Sequence, residues 1–332
     1  MTAKPKVSII VLNYNGLAWL KKCIPTIKKQ TYKNIEIIVT DNHSNDGSIE
    51  YLKKQKDIKL IANPDNFGYA KANNIGAEYA KGEFLFFLNN DTELYPNTIE
   101  NLINCYEPNS IISPVQIRPW KKNDNGYANI GMDIFGYPYG RENPRKNRPF
   151  YVDGAAIFIK HKDFTTIGMF DEELFIFQED VDLSWRAQLM GYSIVTCWDA
   201  KLLHYGGATV TGGVVKNQQY VTSYFRRYLN EKNIIRNIIK NYSFPLGIPL
   251  LAMLIIIHTL EMIVLAILGK FKAVKCYLDA YWWNIAHIKS TLQYREKVQR
   301  ERTVSDSEIL KRVYWSYSKL IAFKNLGFPK FQ

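Results

Sequence analysis

The sequence predicts an α/β fold: a doubly wound, mostly parallel, Rossmann-like sheet over residues 1–213, then a helical, membrane-associating region over 214–332. Three observations carry this. Short apolar runs alternate with helical-period stretches joined by short loops through the first region. The charge is split: residues 1–213 hold 24 basic and 24 acidic residues, whereas 214–332 hold 19 and 7, so the whole net charge of +12 lies in the second region. Finally, Phe244–Gly269 is almost wholly apolar and long enough for a ~30 Å hydrocarbon layer, which needs about 20 residues.

Val7–Asn13 reads as a buried first strand ending in Asn13-Tyr14-Asn15-Gly16, after which Leu17, Leu20, Ile24 and Ile27 recur at helical spacing. Ile35–Asp41 is a second strand, and Ser48 is placed to cap a short helix through Lys54. Ile58–Ala62 is a third strand, followed by a turn at Asn63–Gly68 and a helix over Tyr69–Ala80. Phe84–Leu88, five apolar residues in a row, reads as a strand buried on both faces. A helix over Pro96–Tyr106 and a strand over Ile111–Ile117 follow. Trp120–Pro149 has no period and is rich in Asn, Gly, Pro and basic residues, as expected of a long functional loop. Gly154–Lys160 is a strand, Glu179–Met190 a helix with carboxylates in its first turn, Ile194–Cys197 a short strand and His204–Thr209 a glycine-rich turn.

In the second region Gln218–Asn241 alternates Tyr and Ile with Arg and Lys, the pattern of a basic amphipathic helix. Pro245 and Pro249 break the start of the apolar stretch, and His258 and Glu261 sit within it, where an unpartnered Glu is costly in lipid. Lys270, Lys272 and Lys275 follow, so both flanks are basic and charge does not orient a span. A segment lying in or dipping into the cytoplasmic leaflet is the favoured expectation, with a single crossing or a soluble core helix as alternatives. Tyr281-Trp282-Trp283 adds side chains suited to a membrane interface.

The 332 residues fit one large or two modest domains. Met1–Lys6 runs directly into a strand pattern without a charged-then-apolar leader, so no secretory signal is expected. Cys23, Cys105, Cys197 and Cys276 are far apart and form no metal-type pairs; they read as reduced, mostly buried thiols of a cytosolic compartment.

Chemistry concentrates at strand ends, the edge where open α/β sheets bind ligands. Phe84–Leu88 delivers Asn89, Asn90 and Asp91 there. An acid with amides beside it suits a Mg²⁺ or Mn²⁺ ion on a diphosphate, although an Asn/Asp-rich turn reads the same way. Asp41, ending the second strand, is placed to accept a hydrogen bond from a nucleobase imide or simply to cap its turn. Glu179 and Asp180 open a helix as a candidate base or as ordinary first-turn charges.

Asn13-Tyr14-Asn15, Asp41–Ser48, Asn66–Ala70 with Asn74-Ile75-Gly76, Leu88–Thr92, and Glu179–Arg186 with Gly191-Tyr192 together resemble glycosyltransferase family 2, with most similarity to its rhamnosyltransferase-like branch. The resemblance covers about residues 5–210, and several motifs in order are more specific than any one. It implies a GT-A fold, an inverting, metal-dependent transfer and a nucleoside diphosphate sugar as donor. By this likeness Asp91 matches the last position of the Asp-X-Asp metal motif, Asp180 the catalytic base with Glu179 beside it, and His204 a position contacting metal or diphosphate. Contacts to the nucleotide sugar are expected from Asn13, Asn15, Asp41, Asn74, Asn90 and Asp91, and acceptor contacts from Asp153, Gly154 and Trp185, with Trp185 as readily a core residue. The first acid of the metal motif is Asn89 here, so one carboxylate remains and the donor diphosphate is expected to complete the site.

The implied activity moves rhamnose or another hexose from a dTDP- or UDP-linked donor to a lipid-linked or saccharide acceptor in cell-surface glycan assembly, and the basic, apolar second region points to a polyprenyl-linked saccharide at the membrane surface. Three other readings fare less well. A nucleotidyltransferase needs a glycine-rich basic loop after the first strand, and a NAD-dependent enzyme needs Gly-X-Gly-X-X-Gly; Asn13–Gly16 supplies neither. A nucleic-acid-binding protein would use the basic region, but those charges flank an apolar segment, which favours lipid.

Overall fold

The structure, a computed structural model, describes residues 4–122, 124–128, 130–139, 149–206, 212–216 and 219–332. Parts of two expected features, the Trp120–Pro149 loop and the His204–Thr209 turn, lie outside the described residues. In chain order the first elements are β1 (Val7–Asn13), α1 (Leu17–Lys28), β2 (Ile35–Asp41), α2 (Ser48–Lys53), β3 (Ile58–Ala62), α3 (Gly68–Glu78), β4 (Phe84–Asn89), β5 (Thr92–Leu94), α4 (Thr98–Asn104) and β6 (Ser110–Ile117). Then come β7 (Gly131–Met132), β8 (Pro138–Tyr139), β9 (Ala156–Lys160), α5 (His161–Ile167), α6 (Glu179–Leu189) and β10 (Ser193–His204). The chain ends with β11 (Gly212–Lys216), β12 (Gln219–Thr222), α7 (Tyr224–Asn241), α8 (Phe244–Ile267), α9 (Phe271–Ala286), α10 (Ile288–Glu301), α11 (Asp306–Leu310), α12 (Ser318–Leu326) and β13 (Lys330–Phe331). Two compact units result: Met1–Ile130 with Arg141–Ala187 and Tyr192–Thr209, and Gly131–Gly140 with Gln188–Gly191 and Val210–Gln332.

The first unit is an eight-stranded sheet in the order β3-β2-β1-β4-β9-β6-β10-β5. β1 to β4 run parallel, β9 lies antiparallel to both β4 and β6, and β5 closes the edge antiparallel to β10. The order turns about β1, whose neighbours β2 and β4 leave in opposite directions; that arrangement opens a crevice at the strands' carboxyl ends. Phe84 to Leu88 are all buried, as the unbroken apolar run requires of a strand covered on both faces. α1 buries Leu20, Cys23, Ile24 and Ile27, a stripe at helical spacing, against Val7, Ile9, Val11, Phe84, Phe86 and Leu88.

Several expectations change. Cys105 and Cys197 form a disulfide with Cα atoms 5.9 Å apart, leaving Cys23 and Cys276 free and buried. α4 packs on β10 and brings together two thiols 92 residues apart, which spacing along the chain cannot reveal. The cysteines therefore give no support to a reducing compartment. β10 runs on to His204, its register shifting between Cys197 and Lys201, where Trp198 and Asp199 turn outward; this bulge hides the strand's period. Ser48 lies inside α2, with Gly47 before it at φ +89, and hydrogen-bonds Asp46 in place of capping. From the aperiodic loop, Tyr127 exchanges two backbone hydrogen bonds with Gln116 of β6, and Tyr127, Ala128 and Ile130 are buried.

In the second unit, residues 219–222 form β12 beside β11 and β13, so the basic helix starts later than expected, at Tyr224, where the Ser223 hydroxyl accepts from Arg226 N at 3.1 Å. α8 is long and apolar enough to cross a membrane by length and composition. Gly247, Leu250, Leu254, His258 and Leu265 form its buried stripe, while Ile248, Ile256, Leu260, Ile263 and Ile267 are exposed. Its polar residues are partnered. Glu231 of α7 meets Arg227 at 2.8 Å, Lys319 at 3.1 Å and His258 at 3.3 Å, and Glu261 meets Lys319 and the Tyr317 hydroxyl, both at 2.7 Å. Burial pushes the Glu231 carboxyl up, but the Lys319, His258 and Arg227 charges outweigh this and hold it well below the usual carboxylate range.

Candidate active site

Three adjacent parallel strands bring amides and an acid to one edge of the sheet. Asn13 ends β1, Asp41 ends β2, and Asn90 follows β4. Asn13 Nδ2 donates to Asp41 Oδ2 at 2.7 Å, and Asn90 Nδ2 donates to Asn13 Oδ1 at 2.7 Å. The other Asp41 oxygen accepts from Ser44 N at 2.8 Å. The three side chains from the strand ends, Asn13, Asp41 and Asn90, are all buried. The packing needs Gly16, because a Cβ there would lie 2.1 Å from Asn90 Nδ2 and 2.7 Å from Asn13 Oδ1. Asn15, exposed at φ 49, accepts from Asn45 N at 2.9 Å through Oδ1 and so pins the loop after β2.

The metal candidates meet beside this ladder. Asp91 immediately precedes β5, and His204 ends β10; Thr92 and His204 are register partners. The resulting separation of His204 Nε2 from Asp91 Oδ1 is 3.6 Å, a gap that one cation with ligand bonds of about 2.1 Å can bridge. The Tyr127 hydroxyl lies 2.8 Å from His204 Nδ1; in the tautomer whose Nδ1–H donates to the phenol oxygen, Nε2 keeps its lone pair as the ligand nitrogen. Among the described residues no group of three His, Cys, Asp or Glu side chains converges as a metal site. Among the described residues Asp91 and His204 thus offer two donors, consistent with a cation whose remaining ligands come from a diphosphate and water.

The candidate base reaches the same edge by a different route. Asn89 N donates to Ala155 O at 3.0 Å across the β4–β9 pair, so Asp91 lies two residues beyond one partner and Gly154 one residue before the other. Gly154 N donates to Asp180 Oδ2 at 2.9 Å, and Asp180 Oδ1 accepts from Val181 N at 2.8 Å. Asp180 is half-buried, whereas Glu179 is buried. Asp153 is buried and accepts from Ala155 N at 3.0 Å. Tyr69 ties these together: its hydroxyl donates to Gly154 O at 2.5 Å, and burial, then Glu179, Asp180 and Asp153, push its phenol well above the usual value.

The turn that presents the acids is strained. Phe175, Phe177 and Gln178 adopt φ of 66°, 69° and 70°, a region such residues rarely occupy outside functional sites. It is held by α3, whose Tyr69 N and Ala70 N both donate to Phe175 O, at 2.6 and 3.1 Å. Gly68, at φ +74, permits the approach; a Cβ there would lie 2.5 Å from both Phe175 O and Phe175 Cδ2.

Two expected contact residues have other work. Trp185 is fully buried edge-to-face on Phe150, 5.8 Å between ring centres, so it offers an acceptor no surface. Asn74 Nδ2 donates to Phe170 O at 2.9 Å and its Oδ1 accepts from Phe170 N at 3.0 Å, a backbone clamp that occupies both ends of the amide. Arg186 pairs with Asp182 at 2.9 Å and donates to Ile167 O and Met169 O, which makes it structural. Tyr69, Ser44 and Tyr127 were not singled out beforehand. Tyr69 lies within the Asn66–Ala70 motif, so that motif held the signal; nothing in the aperiodic loop marks Tyr127.

Residues 8–164 match the family model of glycosyl transferase family 2. An uncharacterized glycosyltransferase of Rickettsia typhi is 30% identical over 197 residues, 56% of this chain and 59% of that one. The O-antigen biosynthesis protein RfbC of Myxococcus xanthus is 27% identical over 252 residues, 69% of this chain and 20% of that one. The chain therefore spans about half, or less, of the length of these curated relatives. Among solved structures, the mannosyltransferase PcManGT of Pyrobaculum calidifontis, in complex with GDP-Man and Mn²⁺, superposes with a TM-score of 0.54 at 17% identity, covering 98% of this chain and 88% of that one. Residues 8–164 thus form a glycosyl transferase family 2 domain, and the sheet that contains them has the GT-A fold.

Proposed function

We propose that this chain is an inverting hexosyltransferase that moves a sugar from a nucleoside diphosphate donor to an acceptor hydroxyl during cell-surface glycan assembly. The observation that carries this reading is the Asp180 carboxylate, fixed by Gly154 N–H at the mouth of β9, one ladder bond from the strand that delivers Asp91. Asp180 takes the acceptor proton as the acceptor oxygen attacks the anomeric carbon; the bond to the diphosphate breaks on the opposite face, with no covalent intermediate on the protein. Its oxygens, both held by backbone N–H groups, keep the carboxylate aimed at the acceptor. Glu179 is buried beside it in the first turn of the same helix. Asp41, Asn13, Asn15 and Asn90 would hold the nucleoside end, and Asp153 and Gly154 the acceptor side. Asp91 and His204 would hold a divalent cation, Mn²⁺ or Mg²⁺, which when bound neutralises charge on the leaving diphosphate.

Rhamnose on dTDP is the first donor to test and UDP-hexoses the next, with a polyprenyl-linked saccharide as acceptor. The similarity to an O-antigen biosynthesis protein over 69% of the chain supports a glycan pathway. The one-sided exposure of α8 supports docking on a membrane surface, and its basic flanks favour the anionic cytoplasmic leaflet. Spanning is disfavoured because α7, packed on α8, would bring Arg227, Glu231, Lys232, Arg236 and Lys240 into hydrocarbon. The experiment is a screen of donors for nucleoside diphosphate release with Mn²⁺ or Mg²⁺. Release from one donor that is absent in Asp180→Asn supports the reading; equal release by both proteins overturns it.

A further inference from the structure

Just past the end of α8 the helical unit contains a hollow of about 510 Å³, lined chiefly by Gln219, Tyr224, Lys270, Phe328, Lys330 and Phe331. Gly269, at φ +68, turns the chain here from α8 into α9. Among the described residues two cations line the hollow and no carboxylate does, so these residues leave the charge uncompensated. Lys270 is half-buried and its ammonium is fixed: it donates to Pro329 O at 3.3 Å and lies 5.7 and 5.8 Å from the ring centres of Phe328 and Phe331. An ammonium has three N–H donors, and the Pro329 carbonyl takes one of them. The walls are pinned as well. Tyr224 stacks on Phe331 at 5.1 Å, and Gln219 Nε2 donates to Phe328 O at 3.3 Å.

The chain on either side of Lys270 is apolar and outward-facing: Ile267, Leu268 and Phe271 are all exposed, Ile267 by 79%. A site for a small soluble anion has no use for such flanks, but a phosphate carried on acyl chains needs both. We propose that this hollow binds the phosphate of an anionic phospholipid headgroup, with the acyl chains lying along the exposed side chains at the α8–α9 junction. This rests on the membrane-docking reading above. The shared chemistry is a phosphate held by Lys270 and Lys330, and free phosphate is the competing source.

The test uses the full chain and vesicles of phosphatidylcholine alone or mixed with phosphatidylglycerol, with binding read by flotation. Lys270→Ala/Lys330→Ala is compared with Lys272→Ala/Lys289→Ala, which removes the same charge from exposed positions outside the hollow. A lysine near an anionic surface contributes about fivefold in binding, so both double variants lose that general attraction. Expected is a further loss of about tenfold or more for the hollow variant on anionic vesicles only, since ordered charge-assisted contacts add to it. Lys330→Glu, at an exposed position, gives the same direction without disturbing packing. Equal losses in the two double variants overturn the hollow while leaving membrane docking intact. Displacement of the wild-type chain by millimolar inorganic phosphate at matched ionic strength overturns the lipid as the source. A wild-type chain that binds neither vesicle overturns the docking reading, and the headgroup site with it.

Discussion

Gly68→Ala is the substitution that most directly joins backbone strain to chemistry. Its φ of +74 would cost an alanine about 1 kcal/mol. The new Cβ would also sit 2.5 Å from Phe175 O, which is backbone and has no rotamer by which to escape. Relief requires that carbonyl to move away from Tyr69 N and Ala70 N, weakening two hydrogen bonds worth about 1 kcal/mol each. Together these give a loss of about 3 kcal/mol, at the upper end for one substitution, and a fall in Tm of about 10 °C for a unit of this size. The displaced turn runs straight into Glu179 and Asp180, and a shift of about 1 Å in a positioned group costs about a hundredfold in rate. The assay is thermal melting followed by turnover measured well below both midpoints. A variant that melts within about 2 °C of the parent and turns over at the parental rate would refute the idea that α3 holds the acids in place.

Further outcomes follow from the same geometry. Asp180→Asn keeps one oxygen for either Gly154 N or Val181 N, so Tm falls by only a few degrees, about 2–4 °C, while kcat drops by about 10²–10⁴; a drop below tenfold removes Asp180 from the chemistry. Tyr127→Phe takes away the partner of His204 Nδ1 and is expected to raise the Mn²⁺ concentration needed for half-maximal donor binding by about tenfold or more, with binding unaltered at saturating metal. Unchanged metal dependence would mean that Tyr127 does not orient the imidazole. Gly16→Ala pushes Asn90 and Asn13 apart and should weaken donor binding more than it lowers kcat, read as a rise in KM. Burial pushes the Cys23 thiol up to about 12, so at pH 8 almost none is thiolate and the native chain resists alkylation there. In denaturant without reductant, mass spectrometry should count two alkylated cysteines, and four after reduction; four without reductant would contradict the Cys105–Cys197 bond.

The strands whose side chains are buried on both faces were legible, because Phe84–Leu88 and Ile9–Val11 have no other stable use for unbroken apolar runs. The strand-end residues Asn13, Asp41 and Asp91 were legible for a related reason: polar residues directly after such runs must lie at the sheet's edge. What failed was long-range or aperiodic. The disulfide depends on α4 meeting β10, and β10 itself breaks period at its bulge. Trp185 shares a helix with Asp180, and only the angle between them around that helix decides that one faces the core and the other the crevice. Asn74 reads as a polar contact residue on a helix, and only the return of the chain at Phe170 reveals what its amide holds. His258 and Glu261 have no visible partner in the apolar run itself; α7 and Lys319 supply them from elsewhere in the chain.

The most direct measurement of the division of labour between the two acids is calorimetric titration of the cognate donor, with and without Mn²⁺, into Asp91→Asn and Asp180→Asn beside the parent chain. Expected is a cation-dependent loss of donor affinity of about tenfold or more in Asp91→Asn. Asp180→Asn should bind within about twofold of the parent yet release nucleoside diphosphate slower by about a hundredfold or more. Donor binding lost in Asp180→Asn, or parental cation dependence retained in Asp91→Asn, would contradict it.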